Sequence, residues 1–162
     1  MRHYWNGPSV LKMKKEYFLP NEIIITIDDS IVQIERLNLD NVTYTMQKDA
    51  GVIRPKKAIL LVSEPHSKFA FEDYSPRYIF DTKKLFDGKN DNSIMCALKI
   101  VQLFGCSKIR LIGFDSYYGD VRRVGLDGTI SEGDSIYASY MLPRFRNLIQ
   151  QDKLDVEFVR YI

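Results

Sequence analysis

A chain of 162 residues has the length of one ordinary domain, enough to bury about 70% of its unfolded surface around a single core. Hydrophobic residues make up 45% and charged residues 27%, the composition of a globular protein and not of a disordered one. Lysine and arginine total 23 against 21 acids, and a formal charge of +2 is too small for generic nucleic-acid binding, so any anion must be held by a local arrangement of groups. No apolar run approaches the roughly 20 residues of a membrane span. No signal-peptide pattern precedes the first strand, since Arg2 and His3 lead directly into Tyr4 and Trp5. Cys96 and Cys106 match no zinc spacing and read as buried free thiols, so a cytoplasmic protein, in the host cytoplasm if viral, is expected.

The elements follow in chain order. Asn6-Gly7-Pro8-Ser9 makes a corner after the first possible strand. Glu22 to Ile27 is almost continuously apolar and β-branched, as a strand buried on both faces should be, and Asp28-Asp29-Ser30 then caps a helix through Ile31, Ile34 and Leu37. Val42 to Met46 and Ala58 to Val62 are further strands, ending at Gln47 to Gly51 and at Ser63 to Ser67, where Pro65 stops pairing. Tyr78 to Phe80 reads as a shorter strand and Asp81 to Asp91 as a loop. Asn92 and Ser93 start an apolar helix over Ile94 to Phe104, Gly105 ends it, and Lys108 to Ile112 returns as a strand closed by Gly113-Phe114-Asp115. Ser116 to Gly133 is a glycine-bearing loop of lid length. Asp134 caps a last helix, kinked at Pro143, whose apolar positions run from Tyr137 to Ile149, and Asp155 to Tyr161 supplies a final strand near a sheet edge. The alternation predicts one α/β domain over residues 1–162, with no linker, repeat or low-complexity tract.

Ligands of open α/β sheets bind outside the carboxyl ends of the strands, where loops diverge and helix N-termini point inward. The polar stretches of this chain fall there. Gly7 permits close approach of a phosphate to the backbone, Pro8 suits the first turn of a helix, and Ser9 offers a hydroxyl; the same four residues also read as a plain tight turn and cap. Asp28 stands where an acid accepts bonds from ribose hydroxyls, or where it or Asp29 caps the next helix. Neither Gly-x-Gly-x-x-Gly nor a Walker A pattern occurs, and the two histidines, His3 and His66, form no catalytic triad or metal cluster. Tyr117 and Tyr118 read as packing of the loop or as stacking on a base.

Asn6-Gly7-Pro8-Ser9-Val10 together with Ser93, Ala97, Gly105, Ile109, Leu111, Gly113 and Asp115 resembles the Rossmann-type domain shared by MptE-like 6-hydroxymethylpterin diphosphokinases, motility-accessory proteins and family 42 sialyltransferases. The two motifs bracket residues 6–119. The resemblance implies a Rossmann-like three-layer sandwich with a mostly parallel sheet of about six or seven strands. It also implies a nucleotide or nucleotide-sugar partner contacted by Asn6, Gly7, Pro8, Ser9, Asp28, Asn92, Ser93, Gly113 and Phe114, while Asp29, Ser30, Gln47 and Lys48 are nucleotide-binding candidates by their place at the strand ends. Asp115, or failing it Asp49, is the acid/base candidate, and Lys48, Arg122 and Arg123 are the cations expected to reach phosphate.

The expected function is a nucleotide-binding transferase of glycosyltransferase type. The alternatives are a pterin-type diphosphokinase using Mg²⁺ held by acids such as Asp28, Asp49 and Asp115, and a non-catalytic nucleotide binder. No histidine follows Asp115 to serve as the lid base of a sialyltransferase, which favours the binder. Apart from that possible Mg²⁺ no cofactor is expected, and a homo-oligomer is compatible with the chain. Its compact form suggests a bacteriophage protein.

Overall fold

The structure is a computed structural model that describes residues 7–48, 53–64, 67–89 and 91–161. The chain divides into two compact units, Lys14–Lys99 and Met1–Met13 with Ile100–Ile162.

The Lys14–Lys99 unit holds one parallel sheet of four strands, β1 (Ile24–Ile27), β2 (Thr43–Gln47), β3 (Ile59–Glu64) and β4 (Arg77–Asp81), in sequence order. Thr45, Met46 and Gln47 in β2, and Leu60, Leu61 and Val62 in β3, are buried in succession. Adjacent residues of a strand face opposite sides, so both faces are covered, and this is why the sequence shows continuous apolar runs instead of alternation. Helix α1 (Ser30–Arg36) packs on β1 and buries Ile31 and Ile34. At the other edge β4 is longer than the run from Tyr78 to Phe80 suggested, and Asp81 accepts from Lys83 N at 2.9 Å to cap a short helix α2 (Thr82–Leu85), where a loop was expected.

Helix α3 (Ser93–Leu103) crosses the boundary between the units and ends at Gly105, whose φ of 75° is the left-handed conformation that glycine adopts without penalty. In the other unit β5 (Lys108–Ile112) pairs in parallel with β8 (Asp155–Val159), Ile109 opposite Val156 and Ile112 opposite Val159. The long stretch after Asp115 is structured: a 3₁₀ turn over Asp115–Tyr118 precedes an antiparallel hairpin of β6 (Arg123–Val124) and β7 (Ile130–Ser131). Helix α4 (Ser135–Gln151) runs on through Pro143 and is capped by Asp134, which accepts from Tyr137 N at 3.0 Å. Its Ala138, Met141, Phe145 and Leu148 form a buried stripe at helical spacing.

The α/β class and the parallel pairing match the sequence reading. The hydrogen-bonded strands differ from a single ladder of six or seven, because among the described residues the largest sheet has four strands and β5 pairs only with β8. Ile23, expected inside the first strand, precedes it and is exposed. Both cysteines are free, Cys96 buried and Cys106 half-buried. Among the described residues no helix is long and apolar enough to cross a membrane.

Burial this uneven sets the cost of truncation. Leu60→Ala, at a fully enclosed position of β3, is expected to lower unfolding stability by about 2–5 kcal/mol. Ile136→Ala, at an exposed position of α4, should change it by less than about 0.5 kcal/mol. Urea unfolding of the two variants beside the parent checks the contrast.

Candidate functional site

Gly7, Pro8, Ser9 and Asp115 come together in one unit. Gly7 N donates to Gly113 O at 2.9 Å, so the turn starts beside the carboxyl end of β5, where Gly113 has a φ of 79°. Pro8 opens a 3₁₀ turn, Pro8–Lys12, whose missing N–H is one that a helix start leaves without an internal acceptor. Ser9 N donates to Asp115 Oδ2 at 2.7 Å and Ser9 Oγ donates to Asp115 Oδ1 at 2.6 Å. Asp115 is only 1% exposed.

Glycine is needed at position 7 for another reason than a positive φ, since its φ is −67°. A Cβ built there would lie 2.5 Å from Asp115 Oδ2 and 2.7 Å from its Cβ and Cγ, so the space left by the absent side chain holds the aspartate. Where a phosphate was expected to approach Gly7 the structure shows an internal carboxylate, which takes both donors of Ser9. The acid/base candidate Asp115 has both oxygens enclosed and engaged in this way. Arg160 Nε lies 3.9 Å from Asp115 Oδ1, and Arg160 Nη2 lies 3.4 Å from Asp120 Oδ2. Asp120 also accepts from Arg122 Nε at 2.9 Å and Nη2 at 2.8 Å, and these bonds hold its carboxyl below the usual range. Arg122, expected to meet phosphate, is therefore paired, and Arg123 Nε donates to Ser131 Oγ at 3.2 Å.

Phe114 is buried against Phe145, their ring centres 4.8 Å apart. Tyr117 lies flat on Phe158 with centres 3.8 Å apart, and Tyr118 Oη donates to Phe158 O at 3.3 Å, so both tyrosines pack the loop in place.

The remaining described candidates lie in the Lys14–Lys99 unit. Asp28 adopts a φ of 48° at the end of β1, and its N–H donates to Met46 O at 3.0 Å. Asp29 occupies the N-cap of α1 without a side-chain cap bond; Ser30 Oγ instead accepts from Ile27 N at 2.9 Å and donates to Ile27 O at 2.8 Å. Gln47 is buried, with Nε2 donating to Asp28 O at 3.1 Å and Thr45 Oγ1 at 2.8 Å, and Oε1 accepting from Ile53 N at 3.2 Å. Gln47 therefore ties strand ends together. Lys48 O accepts from Ser63 Oγ and from Ser67 Oγ, the latter at 3.2 Å. Asn92 caps α3, its Oδ1 accepting from Met95 N at 3.0 Å. Ser93 is 0% exposed, and its Oγ has no hydrogen-bond partner. Ser116 Oγ is a second such buried hydroxyl. Asn6 and Asp49 lie outside the described residues.

Among the described residues no three histidine, cysteine, aspartate or glutamate side chains gather closely enough to hold a metal, and Asp28 and Asp115 belong to different units. Sequence reasoning missed the Ser9–Asp115 bond and the parts of Arg160 and Asp120, because 106 residues separate Ser9 from its acceptor. The one available signal was that Gly7-Pro8-Ser9 and Asp115 belong to the same pair of motifs. No protein-family model, curated protein or solved structure matches the chain.

Two outcomes follow from the Asp115 cluster. Ser9→Ala should cost about 1.5–3 kcal/mol of stability by removing a donor to a buried carboxylate. Gly7→Ala should cost at least about 1–3 kcal/mol by overpacking against it, both read by urea unfolding. Because the folded pKa of Asp120 is depressed, its contribution is present above the unfolded carboxylate value of about 3.9 and is lost as pH falls through the folded value. Thermal unfolding from neutral to acid pH should therefore show a shallower acid decline in Asp120→Asn than in the parent.

Proposed function

We propose that this chain is a cytoplasmic nucleotide-binding protein of Rossmann type, its nucleotide held at the carboxyl edge of the parallel sheet and the start of α3. The observation that carries the reading is Ser93: a fully enclosed hydroxyl without a partner, on the first residue of an 11-residue helix. Buried polar groups in folded proteins are nearly always satisfied, and a ligand oxygen would satisfy this one. The first N–H groups of a helix lack internal acceptors and carry the positive end of its dipole, so a phosphate suits the same place. Asp28, Asp29 and Ser30 supply polar groups after β1 for a ribose.

As a transferase, the protein would take a nucleotide-sugar donor, with helix N–H groups stabilising the departing phosphate. A second reading, binding without turnover, is favoured by the engagement of Asp115 with Ser9, which leaves that acid occupied as it stands. Diphosphokinase activity would require Mg²⁺ for turnover, and this requirement separates it from metal-independent sugar transfer.

Thermal unfolding with CMP, UMP, GDP, ATP and their sugar conjugates tests the proposal. One of them at about 100 times its dissociation constant should stabilise the protein by about 2.7 kcal/mol. Ser93→Ala should abolish that gain while leaving the ligand-free melting temperature equal or higher, since it removes an unsatisfied buried hydroxyl. If no nucleotide shifts the parent, or Ser93→Ala shifts as the parent does, the site is elsewhere. Donor hydrolysis or transfer, measured beside binding, decides between the two readings.

A further inference from the structure

Among the described residues the sheet of the Lys14–Lys99 unit ends on β4, which has β3 as its one neighbour in the ladder. Leu60 N donates to Pro76 O at 3.1 Å, and Leu60 stands opposite Arg77 in the register. Alternation in a parallel ladder then turns the N–H and C=O groups of Tyr78 and Phe80 toward β3 and those of Arg77, Ile79 and Asp81 away from it. Both faces of the strand are open as well, because Tyr78 is 59% and Ile79 51% exposed although they point to opposite sides. Such an edge is a template for another strand, and natural edges are commonly blunted by lysine, proline or a bulge. Between Arg77 and Asp81 the sequence is Tyr-Ile-Phe, with none of these.

We infer that β4 pairs with β4 of a second copy of this chain, antiparallel about a two-fold axis at Ile79. The sequence Arg-Tyr-Ile-Phe-Asp is complementary to itself when read in the opposite direction. In this register Arg77 faces Asp81 of the partner subunit, Tyr78 faces the partner's Phe80, and Ile79 faces the partner's Ile79. The ends thus match in charge, the next places pair aromatic rings, and the centre pairs two β-branched side chains, all favourable cross-strand combinations.

The backbone selects the same register independently. Its facing pairs bring together Arg77 with Asp81 and Ile79 with Ile79, the residues whose N–H and C=O groups point outward, so each pair exchanges both bonds. A slip of one residue sets outward groups against inward ones. Parallel pairing would set Arg77 against the partner's Arg77. Both charges are also held before association: Arg77 Nε donates to Ala70 O at 2.8 Å and its Nη2 to Lys68 O, while Asp81 caps α2. Contacts fixed in advance lose less freedom on binding. The result is one continuous sheet across the two copies, closed by two-fold symmetry.

Sedimentation equilibrium of the full chain over micromolar to submillimolar concentrations tests this. A monomer–dimer equilibrium is expected, weakened about tenfold or more by Ile79→Lys, which sets like charges opposite each other on the axis. Ile136→Lys, on the 82% exposed position of α4, should leave it unchanged. A parent that stays monomeric throughout, a dimer that survives Ile79→Lys, or one lost in Ile136→Lys overturns the assignment. Circular dichroism reports whether Ile79→Lys folds. If it does not, residue-resolved amide exchange of the parent decides: the amides of Ile79 and Asp81 should slow with rising concentration, and no concentration dependence there refutes the pairing.

Discussion

A carboxylate that is nearly shut off from water must be met by donors, and Asp115 is met by the N–H and the hydroxyl of Ser9 at 2.7 and 2.6 Å. The arrangement fixes much around it. It requires no side chain at Gly7, brings the Pro8–Lys12 turn to the end of β5, and places Arg160 within 3.9 Å of the same carboxylate. Through Arg160 and Asp120 it reaches the segment that follows the 3₁₀ turn, and β6 packs against the Pro8–Lys12 turn. An aspartate here does what a bound anion does at the start of many helices: it answers a group of backbone donors with negative charge.

The Lys14–Lys99 unit meets its buried polar groups differently. At the carboxyl edge of its sheet enclosed side chains reach neighbouring strand ends, as Gln47 reaches Asp28 O and as Ser63 and Ser67 converge on Lys48 O. These bonds tie the strand ends to one another. Ser93 Oγ, like Gln33 Nε2 in the same unit, is enclosed without a hydrogen-bond partner.

The strands were legible because burial on both faces writes a continuous apolar run, as in Ile24–Ile27 and Ile59–Glu64. Helix ends were legible where one residue type does one job, as at Asn92, Asp134 and Gly105. Two features were not. Asp28 and Asp29 both suit a cap, and nothing in composition says that Ser30 takes over the local bonding at the end of β1. The partner of Ser9 could not be read either, because glycine, proline and serine suit an external phosphate and an internal carboxylate by the same chemistry. Only the placement of Asp115, decided by packing of distant segments, separates the two. The expected loop over Asp81 to Asp91 failed at its start for a local reason, the short helix that Asp81 caps.

The unit that contains Ser9 is discontinuous, taking one strand of chain from residues before Lys14 and the rest from residues after Lys99. During synthesis at about 5–20 residues per second, the 106 residues between Ser9 and Asp115 take about 5–20 s to appear. All four strands of the Lys14–Lys99 sheet leave the ribosome within that interval. All residues of the parallel sheet are therefore made before the acceptor of Ser9, and Ser9 can be secured only after Asp115 emerges. The order of assembly is written into the order of the chain.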